Sequence, residues 1–420
     1  MNILVTYPWL DLGGAPNTSI TLAKGLKELG HNVFFLTRRG GIYEERLLSA
    51  GIEVIDAPYG RFPRHMHHLN YKAHRILSRA LDEHSIDIVH SFHPQSYILS
   101  LFSAPGRNIP VFLTAVWYFD DFPMPGYPAG VLFVAEEFKD QGAKRFGNRA
   151  RIMEIMPNRI DLGMFRPDID GGSFVRDREL PEEGWKIAFM SRIDRTKIGS
   201  LRNAITAMGI LSDRGRNVTL AIAGDGDMRT EIEAMAREIN TRAGRDAIIL
   251  TGSITRTPEF LTWANVVFGI GRCAWEGMAC EKPTIVVGEN GLAGIVERSS
   301  VDKLAYYNFA GRNRKEPADP SLLADAVEGI MTDPERYRAL ASFAREYVID
   351  RYDYRAGAEK LEKMYENALN SPPLTSVEKL NLGVTRWILG YGRRFYKGCK
   401  IDLRNRLRLG PQVREHGIDS

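Results

Sequence analysis

The chain has 420 residues, 44% of them hydrophobic and 26% charged, which is enough for about two or three soluble domains. No stretch approaches the roughly 20 apolar residues of a membrane-spanning helix, and Cys273, Cys280 and Cys399 are too few for a disulfide framework or a cysteine-rich zinc site. The net charge is +4, but residues 372–420 carry ten Lys/Arg against four Asp/Glu, so residues 1–371 have a net charge of −2. A nucleic-acid-binding domain is expected to carry a basic surface, so this distribution argues against one.

Short apolar runs alternate with amphipathic helices at the start of the chain, which predicts βαβ units and a parallel sheet. The first strand begins at Asn2 without the basic start or cleavage site of a secretory signal, so we expect a cytoplasmic protein. The strand candidates are residues 2–9, 31–37, 52–57, 86–92, 110–116 and 131–135, and helices are predicted at 17–29 and 71–83.

A glycine pair, Gly13 and Gly14, follows the first strand and precedes the first helix. Glycines let the backbone approach a ligand closely, and the helix N-terminus presents amides to an anion. Gly14 is therefore a candidate for contact with a phosphate or a sugar hydroxyl, with a plain tight turn as the alternative. The loop is not Gly-x-Gly-x-x-Gly and no acidic residue ends the second strand, which speaks against a dehydrogenase.

Three polar side chains follow later strands of the first half and form a candidate acceptor region. His93 lies after the fourth strand candidate, and Asp120 and Asp121 lie among aromatic residues. Adjacent residues of an extended chain point in opposite directions, so the two aspartates do not predict a paired acid/base or metal site. For His93 the alternative is an ordinary surface histidine.

The periodicity stops at residues 157–161 and at Gly171–Gly172, which predicts a linker, and a second α/β run follows. We predict two doubly wound parallel-sheet domains, residues 1–165 and 175–350, then a closing helix at 351–371 and a tail at 372–420. The strand candidates of the second half are residues 185–190, 218–223, 247–251, 266–270 and 283–287, with a helix at 228–242.

Two loops of the second half carry charged residues where parallel sheets bind ligands, after the carboxyl ends of strands. Arg192 and Lys197 could reach one diphosphate, or could simply face solvent. Glu276 is predicted in the first turn of a helix that starts near Cys273, where a carboxylate can accept both hydroxyls of a ribose. A first-turn glutamate is also what the helix dipole favours.

Taken in order, six short motifs resemble the retaining family 4 (group 1) glycosyltransferases of the GT-B fold, over about residues 1–370. The motifs are 13–15 (Gly-Gly-Ala), 87–90 (Asp-Ile-Val-His), 158–161 (Asn-Arg-Ile-Asp), 191–194 (Ser-Arg-Ile-Asp), 223–226 (Ala-Gly-Asp-Gly) and 276–279 (Glu-Gly-Met-Ala). The resemblance implies two Rossmann-like domains facing across a cleft, a nucleoside-diphosphate sugar as donor, a glycan or lipid-linked acceptor, and transfer with retention. It implies no other cofactor and no metal.

The resemblance also implies roles for individual residues. Arg192 and Lys197 would bind the donor diphosphate and stabilise the leaving group, Glu276 would bind the ribose, and residues 251–254 would line the base pocket. The full donor-binding set is Gly14, Arg192, Lys197, Thr251, Gly252, Ile254, Arg272, Glu276 and Gly277.

The sequence departs from the family pattern in two places. A glutamate that usually lies eight positions before the ribose-binding one, contacting the donor sugar, is Phe268 here. A histidine usual after the fifth strand would fall near Val116, and His93 on a neighbouring loop is a candidate substitute. A GT-B-type sugar-nucleotide epimerase and a non-catalytic nucleotide-sugar-binding module are therefore the alternatives.

The tail beyond residue 371 has an amphipathic pattern. Leu380, Trp387 and Phe395 fall on one helical face, and Arg386 and Arg393 on the opposite one. Such a helix suits an anionic membrane surface, contacted through residues 374–410, or could dock onto the first domain or a second subunit. We therefore expect a cytoplasmic location, with the tail attaching the protein peripherally to the membrane.

Overall fold

The computed structural model describes residues 1–11, 13–59, 70–115, 129–146, 150–372, 374–375 and 378. Asp120, Asp121, Val116 and the amphipathic face of the tail lie outside the described residues. In the described part of the chain, no helix combines the length and the apolar character needed to cross a membrane.

The first half forms a sheet whose paired strands are all parallel, in the order β3-β2-β1-β4-β5-β6-β7. Its strands are β1 (Asn2–Trp9), β2 (Asn32–Arg38), β3 (Glu53–Asp56), β4 (Ile88–Ser91), β5 (Val111–Ala115), β6 (Gly130–Phe133) and β7 (Ile152–Ile155). The six strand predictions are confirmed to within a few residues. Strand β7 was missed because none of its four residues is fully buried, so it lacks the apolar run of an inner strand.

The helices of the first half cover this sheet on its two faces. They are α1 (Gly14–Glu28), α2 (Glu44–Ser49), α3 (Tyr71–Glu83), α4 (Pro94–Ser103) and α5 (Glu136–Phe146). Helix α3 begins where the Asn70 side chain accepts a hydrogen bond from the backbone N–H of Ala73, and it buries Leu77 and Leu81 at helical spacing. The sequence therefore predicted α3 residue for residue.

The second half forms a sheet in the order β10-β9-β8-β11-β12-β13. Its strands are β8 (Trp185–Met190), β9 (Val218–Ala223), β10 (Ile248–Gly252), β11 (Val266–Gly269), β12 (Thr284–Gly288) and β13 (Gly291–Ile295). Strand β13 runs antiparallel to β12 and was missed, because its sequence, Gly-Leu-Ala-Gly-Ile, has low strand propensity.

Eight helices of the described chain accompany this second sheet. They are α6 (Gly172–Asp177), α7 (Ile198–Asp213), α8 (Arg229–Ala243), α9 (Thr257–Trp263), α10 (Arg272–Ala279), α11 (Val301–Tyr306), α12 (Pro320–Met331) and α13 (Pro334–Tyr352). Both sheets are thus doubly wound, as predicted. Ligands bind such sheets at the carboxyl edge where the strand order reverses, which is beside β1 and β4 in the first half and beside β8 and β11 in the second.

The chain crosses between the halves twice, and the two crossings are bonded to each other. The backbone N–H of Ile160 donates to the carbonyl of Tyr352 at 2.8 Å, and the N–H of Tyr354 donates to the carbonyl of Ile160 at 3.2 Å. The Arg159 guanidinium is buried at this point and donates to the carbonyl of Arg351 at 2.9 Å. The two crossings therefore join the halves at this point.

The 158–161 motif also fastens helix α1 to this crossing. Asn158 accepts a hydrogen bond from Thr18 at 2.9 Å, and Asp161 accepts one from Lys24 at 2.7 Å. Both partners lie on α1, so the side chains of this motif hold the fold together rather than facing a ligand.

After the second crossing, helix α14 (Tyr354–Leu369) returns to pack on α1. Its Tyr365 hydroxyl lies 2.5 Å from Nδ1 of His90 on β4, and Nε2 of His90 lies 2.8 Å from the Thr114 hydroxyl on β5. Burial lowers the pKa of His90 to about 3, so the imidazole is neutral and acts as a polar link in the core. This closing helix was predicted at 351–371.

We predict that Tyr365→Phe destabilises the protein, because it leaves a nitrogen of the buried His90 without its partner. An unmet buried polar group costs about 1–3 kcal/mol. Equilibrium denaturation should show this loss, while Tyr71→Phe, which removes the hydroxyl of a tyrosine that is 67% exposed, should change little. Equal stability of the two variants would show that the link contributes nothing.

Candidate functional site

The loop after β8 is folded around the Asp194 carboxylate. Asp194 accepts hydrogen bonds from the backbone N–H and the hydroxyl of Thr196, at 2.9 and 2.6 Å. It also pairs with Arg192 at 3.0 Å. These contacts leave Arg192 on the surface, with 66% of its side chain exposed, and place Lys197 half-buried immediately before α7.

Two glycines of the neighbouring loop let the β8 loop take this shape. A Cβ on Gly224, whose φ is +154°, would lie 1.8 Å from the carbonyl oxygen of Ser191, and one on Gly226 would lie 2.3 Å from that of Ile193. The loops after β8 and β9 therefore pack backbone against backbone. This contact explains why glycine stands at both positions of the 223–226 motif.

Lys197 lies where an anion would be stabilised. Burial lowers its pKa, and the positive charges of Arg192 and Arg312 lower it further, against the opposing effect of Asp194. A bound anion would offset this repulsion between cations.

The connection between β11 and α10 is only two residues long, Ile270 and Gly271. Gly271 has φ +57° and offers no side-chain cap to the helix. The first amides of α10 therefore lie at the carboxyl edge with no N-cap side chain to accept from them, as at helix ends that bind phosphate. Strands β8 and β11 pair in parallel, so the β8 loop that ends at Lys197 and the start of α10 lie side by side at this edge.

Glu276 lies in the second turn of α10, so the prediction that it occupies the first turn is wrong. The helix begins at Arg272, directly after the positive φ of Gly271, which makes Glu276 its fifth residue. Its Oε1 accepts a hydrogen bond from Nε of Arg272 at 2.7 Å, and the two side chains are only 9% and 10% exposed. Burial raises the pKa of Glu276, and the positive charges of Arg272 and Arg46 oppose that rise.

The first half meets this pair across the cleft. A Cβ on Gly14 would lie 4.0 Å from the Cβ of Arg272, so the loop after β1 is next to the start of α10. Arg46 on α2 donates to Asn17 at 2.7 Å and lies over the ring of Tyr43, 4.9 Å from its centroid. The carboxyl edges of the two sheets therefore face each other.

Arg46 is a candidate site residue that sequence reasoning missed. It lies in a six-residue helix without a motif, and only the fold brings its charge near Glu276.

His93 lies at the expected edge, but it is buried rather than a surface residue. It caps α4, because its Nδ1 accepts a hydrogen bond from the backbone N–H of Gln95 at 3.1 Å. Its ring packs edge-on against Tyr7 and Trp9, with centroids 5.6 and 5.1 Å away. Burial lowers its pKa to about 4, so the imidazole is neutral near pH 7.

Thr251 and Gly252 are the last two residues of β10, and Ile254 lies just beyond it; β10 is two strands from β8. Adjacent strands are about 4.8 Å apart, so these residues lie on the order of 10 Å from the β8 loop, within the span of a nucleotide. The carbonyl of Gly252 accepts a hydrogen bond from the N–H of Gly224, and the carbonyl of Thr251 accepts one from the Arg178 guanidinium at 3.1 Å. The site thus extends along one edge of the sheet.

Two other predicted positions are explained by packing. A Cβ on Gly277 would lie 2.7 Å from Val267, so this glycine lets α10 lie close against β11. Phe268 is fully buried within β11 and packs against Phe189. Position 268 therefore faces the core and cannot contact a donor sugar.

Among the described residues, no group of three or more His, Cys, Asp or Glu side chains is arranged to hold a metal ion.

Family models match both halves of the chain. Residues 12–163 match the model for Glycosyltransferase Family 4, and residues 173–347 match the model for Glycosyl transferases group 1. The chain is 26% identical over 253 residues to a 2-deoxystreptamine glucosyltransferase of Streptomyces kanamyceticus, covering 57% of this chain and 61% of that protein. It is 24% identical over 237 residues to a GDP-mannose-dependent alpha-(1-6)-phosphatidylinositol monomannoside mannosyltransferase of Mycobacterium tuberculosis, covering 55% and 60%.

These matches span about six tenths of the length of the curated relatives. Solved structures share the fold over more of the chain. A glycosyltransferase from Rickettsia africae superposes with a TM-score of 0.67 at 17% identity, covering 88% of this chain and 99% of that one. Anabaena HepE in complex with UDP-glucose gives a TM-score of 0.67 at 15% identity, covering 87% and 100%. The prediction of a GT-B fold is confirmed.

We predict that Arg272→Gln destabilises the protein, because it leaves Glu276 buried without its cation. Breaking a buried ion pair from one side costs about 3–5 kcal/mol, whereas removing both charges together costs much less. Arg272→Gln/Glu276→Gln should therefore be more stable than Arg272→Gln in equilibrium denaturation.

The matched control is Arg79→Gln, which breaks an i,i+4 Arg–Glu pair on α3 whose side chains are 76% and 54% exposed. Exposed pairs contribute at most about 1 kcal/mol. Additive losses in the double variant would contradict the coupling of Arg272 and Glu276.

Proposed function

Because the chain belongs to the family 4 (group 1) glycosyltransferases, we propose that it transfers a sugar from a nucleoside-diphosphate sugar to a glycan or lipid-linked acceptor. The observation that carries this proposal is the convergence of Lys197, Arg192 and the uncapped start of α10 on one edge of the second sheet. Two cations and a helix N-terminus suit a diphosphate.

In this proposal the second half holds the donor. The diphosphate lies between Lys197 and the first amides of α10, and the nucleoside extends along the edge toward Thr251, Gly252 and Ile254. Glu276 accepts hydrogen bonds from the ribose hydroxyls. Because Arg272 already donates to Oε1 of Glu276, that contact has to loosen when the ribose binds. Gly14 and Arg272 lie beside the same region, and Gly277 lets α10 sit close against β11 behind it.

Transfer then proceeds with retention. The acceptor hydroxyl attacks the anomeric carbon on the face that the nucleoside diphosphate leaves, and a phosphate oxygen of the donor takes the hydroxyl proton. The new glycosidic bond forms as the bond from carbon to phosphate oxygen breaks. Arg192 and Lys197 stabilise the negative charge that develops on the departing diphosphate, as preorganised cations do in phosphate chemistry.

The first half supplies the acceptor region. His93, buried between Tyr7 and Trp9, and Arg46 lie at the edge that faces the donor. A neutral imidazole and aromatic rings suit a sugar ring, and the relatives named above act on a 2-deoxystreptamine and on a phosphatidylinositol mannoside. Asp120 and Asp121, outside the described residues, remain candidates for the same region.

Residues 374–410 would bring the enzyme to the cytoplasmic face of a membrane. The start of this segment is fixed to the first half, since Leu374 packs on its core and Glu378 pairs with Arg151 at 3.5 Å. Basic residues near an anionic surface contribute about 1 kcal/mol each. The net basic charge of the tail therefore supports peripheral attachment.

We predict that Arg192→Ala and Lys197→Ala each lower turnover by about 100-fold or more, because each removes a charge that stabilises the leaving group. The measurement is release of nucleoside diphosphate from a panel of UDP-, GDP- and ADP-sugars with acceptors. Arg195→Ala is the matched control, because Arg195 is an exposed arginine of the same loop. Near-native turnover of both site variants would refute the site, and isomerised sugar without transfer would indicate an epimerase.

We also predict that the full chain sediments with phosphatidylserine vesicles and that a chain ending at Glu378 does not. This end point preserves the Arg151–Glu378 pair, so the first half keeps its described contacts. Binding should fall as salt is raised, because the attraction is electrostatic. Equal sedimentation of the two chains would remove the membrane role of the tail.

A further inference from the structure

A loop of the second half, residues 307–312, is seated on the carboxyl edge where the donor would lie. The backbone N–H of Gly271 donates to the carbonyl of Phe309 at 2.7 Å. A Cβ on Gly311, whose φ is +74°, would lie 2.4 Å from the Cα of Gly288, the last residue of β12. The loop is therefore fixed against both the start of α10 and the end of β12.

The same contacts bring Arg312 close to Lys197. A Cβ on Gly199, in the first turn of α7, would lie 2.9 Å from the carbonyl oxygen of Glu289, which directly follows Gly288. The starts of α7 and α10 and the end of the loop thus meet at one corner of the sheet. The Arg312 charge lowers the pKa of Lys197, in addition to the larger effects of burial and Arg192, which agrees with this placement.

The Arg312 guanidinium is oriented by the first half of the molecule. Its Nε donates to the two carboxylate oxygens of Glu137 on α5, at 2.9 and 3.2 Å, and its Nη2 donates to Glu137 and to the carbonyl of Tyr307. The guanidinium also lies over the ring of Phe138, 5.3 Å from its centroid. The Glu137 side chain is only 11% exposed, while that of Arg312 is 30% exposed, so the carboxylate is shielded and the arginine remains in part accessible from the cleft.

We propose that Arg312 is a third cation of the donor diphosphate site and that Glu137 is its positioning residue. This inference rests on the proposed function. A guanidinium carries five N–H donors in one rigid plane, so an arginine held by a carboxylate on one edge can also meet a phosphate oxygen. Because Glu137 belongs to the other half, this cation is in place only while the halves keep this relation.

If Arg312 contacts the diphosphate, its replacement weakens the binding of diphosphates only. If the Arg312–Glu137 pair merely joined the halves, its loss would weaken the binding of every ligand alike. The test is isothermal titration calorimetry of the full chain with UDP, GDP and ADP, which identifies the diphosphate that binds. The affinity of the corresponding nucleoside is then measured by its competition with that diphosphate. Arg312→Gln should weaken diphosphate binding by about 10-fold to 100-fold, the usual effect of losing a charged hydrogen bond. Glu137→Gln should weaken it less, and neither variant should change nucleoside binding.

Tyr306→Phe is the matched control, because Tyr306 ends α11 directly before this loop and its hydroxyl also joins the second half to α5, by donating to Asp140 at 2.7 Å. It should leave diphosphate affinity within about twofold, the range of a surface hydrogen bond. Arg312→Lys keeps the charge and should recover part of the diphosphate affinity. It replaces Arg312→Gln in the test if that variant fails to fold.

Equal losses for diphosphate and nucleoside, or an effect of Tyr306→Phe as large as that of Glu137→Gln, would overturn the proposal. Unchanged diphosphate affinity in Arg312→Gln would overturn it while leaving the proposed function intact. Failure of the wild-type chain to bind any of the three diphosphates would instead overturn the proposed function, and this inference with it.

Discussion

The structure depends on the bonded pair of chain crossings at Ile160 and Tyr352–Tyr354. Each sheet alone places its loops at its own carboxyl edge, and the crossings turn the two edges toward each other. Arg159 shows how tightly this point is determined, since its guanidinium is buried against the second crossing and a Cβ on Gly357 would lie 2.7 Å from its Nε. The carbonyl of Arg159 accepts a hydrogen bond from the Arg272 guanidinium at 3.0 Å, so the crossing directly contacts the site.

The electrostatics of the cleft follow from this arrangement. Arginines of the second half are paired with carboxylates, Arg272 with Glu276 and Arg312 with Glu137 of the facing half. Lys197 is half-buried, with the cations Arg192 and Arg312 and the carboxylate Asp194 near it. The cleft thus holds cations in fixed positions, which suits a ligand that brings two negative charges.

Elements with a strong apolar period could be predicted from the sequence alone. Strands β1, β8 and β9 were predicted residue for residue because their burial is nearly continuous. Sequence reasoning missed strands β7 and β13 because both are only partly buried, and β13 also contains two glycines. Glu276 was found through its motif, but its ion pair with Arg272 depends on where Gly271 starts the helix. Sequence reasoning missed the Glu137–Arg312 pair because its members are 175 residues apart and only the fold brings them together. It missed Arg46 because that residue lies in a short helix without a motif.

The central claim is that the second half grips a diphosphate at the start of α10. A crystal structure of the chain with whichever of UDP, GDP or ADP raises its melting temperature most would test this claim directly. The account predicts that the diphosphate contacts Lys197 and the first amides of α10, with the nucleoside directed toward Gly252. A diphosphate bound away from that edge, with the start of α10 unoccupied, would contradict it.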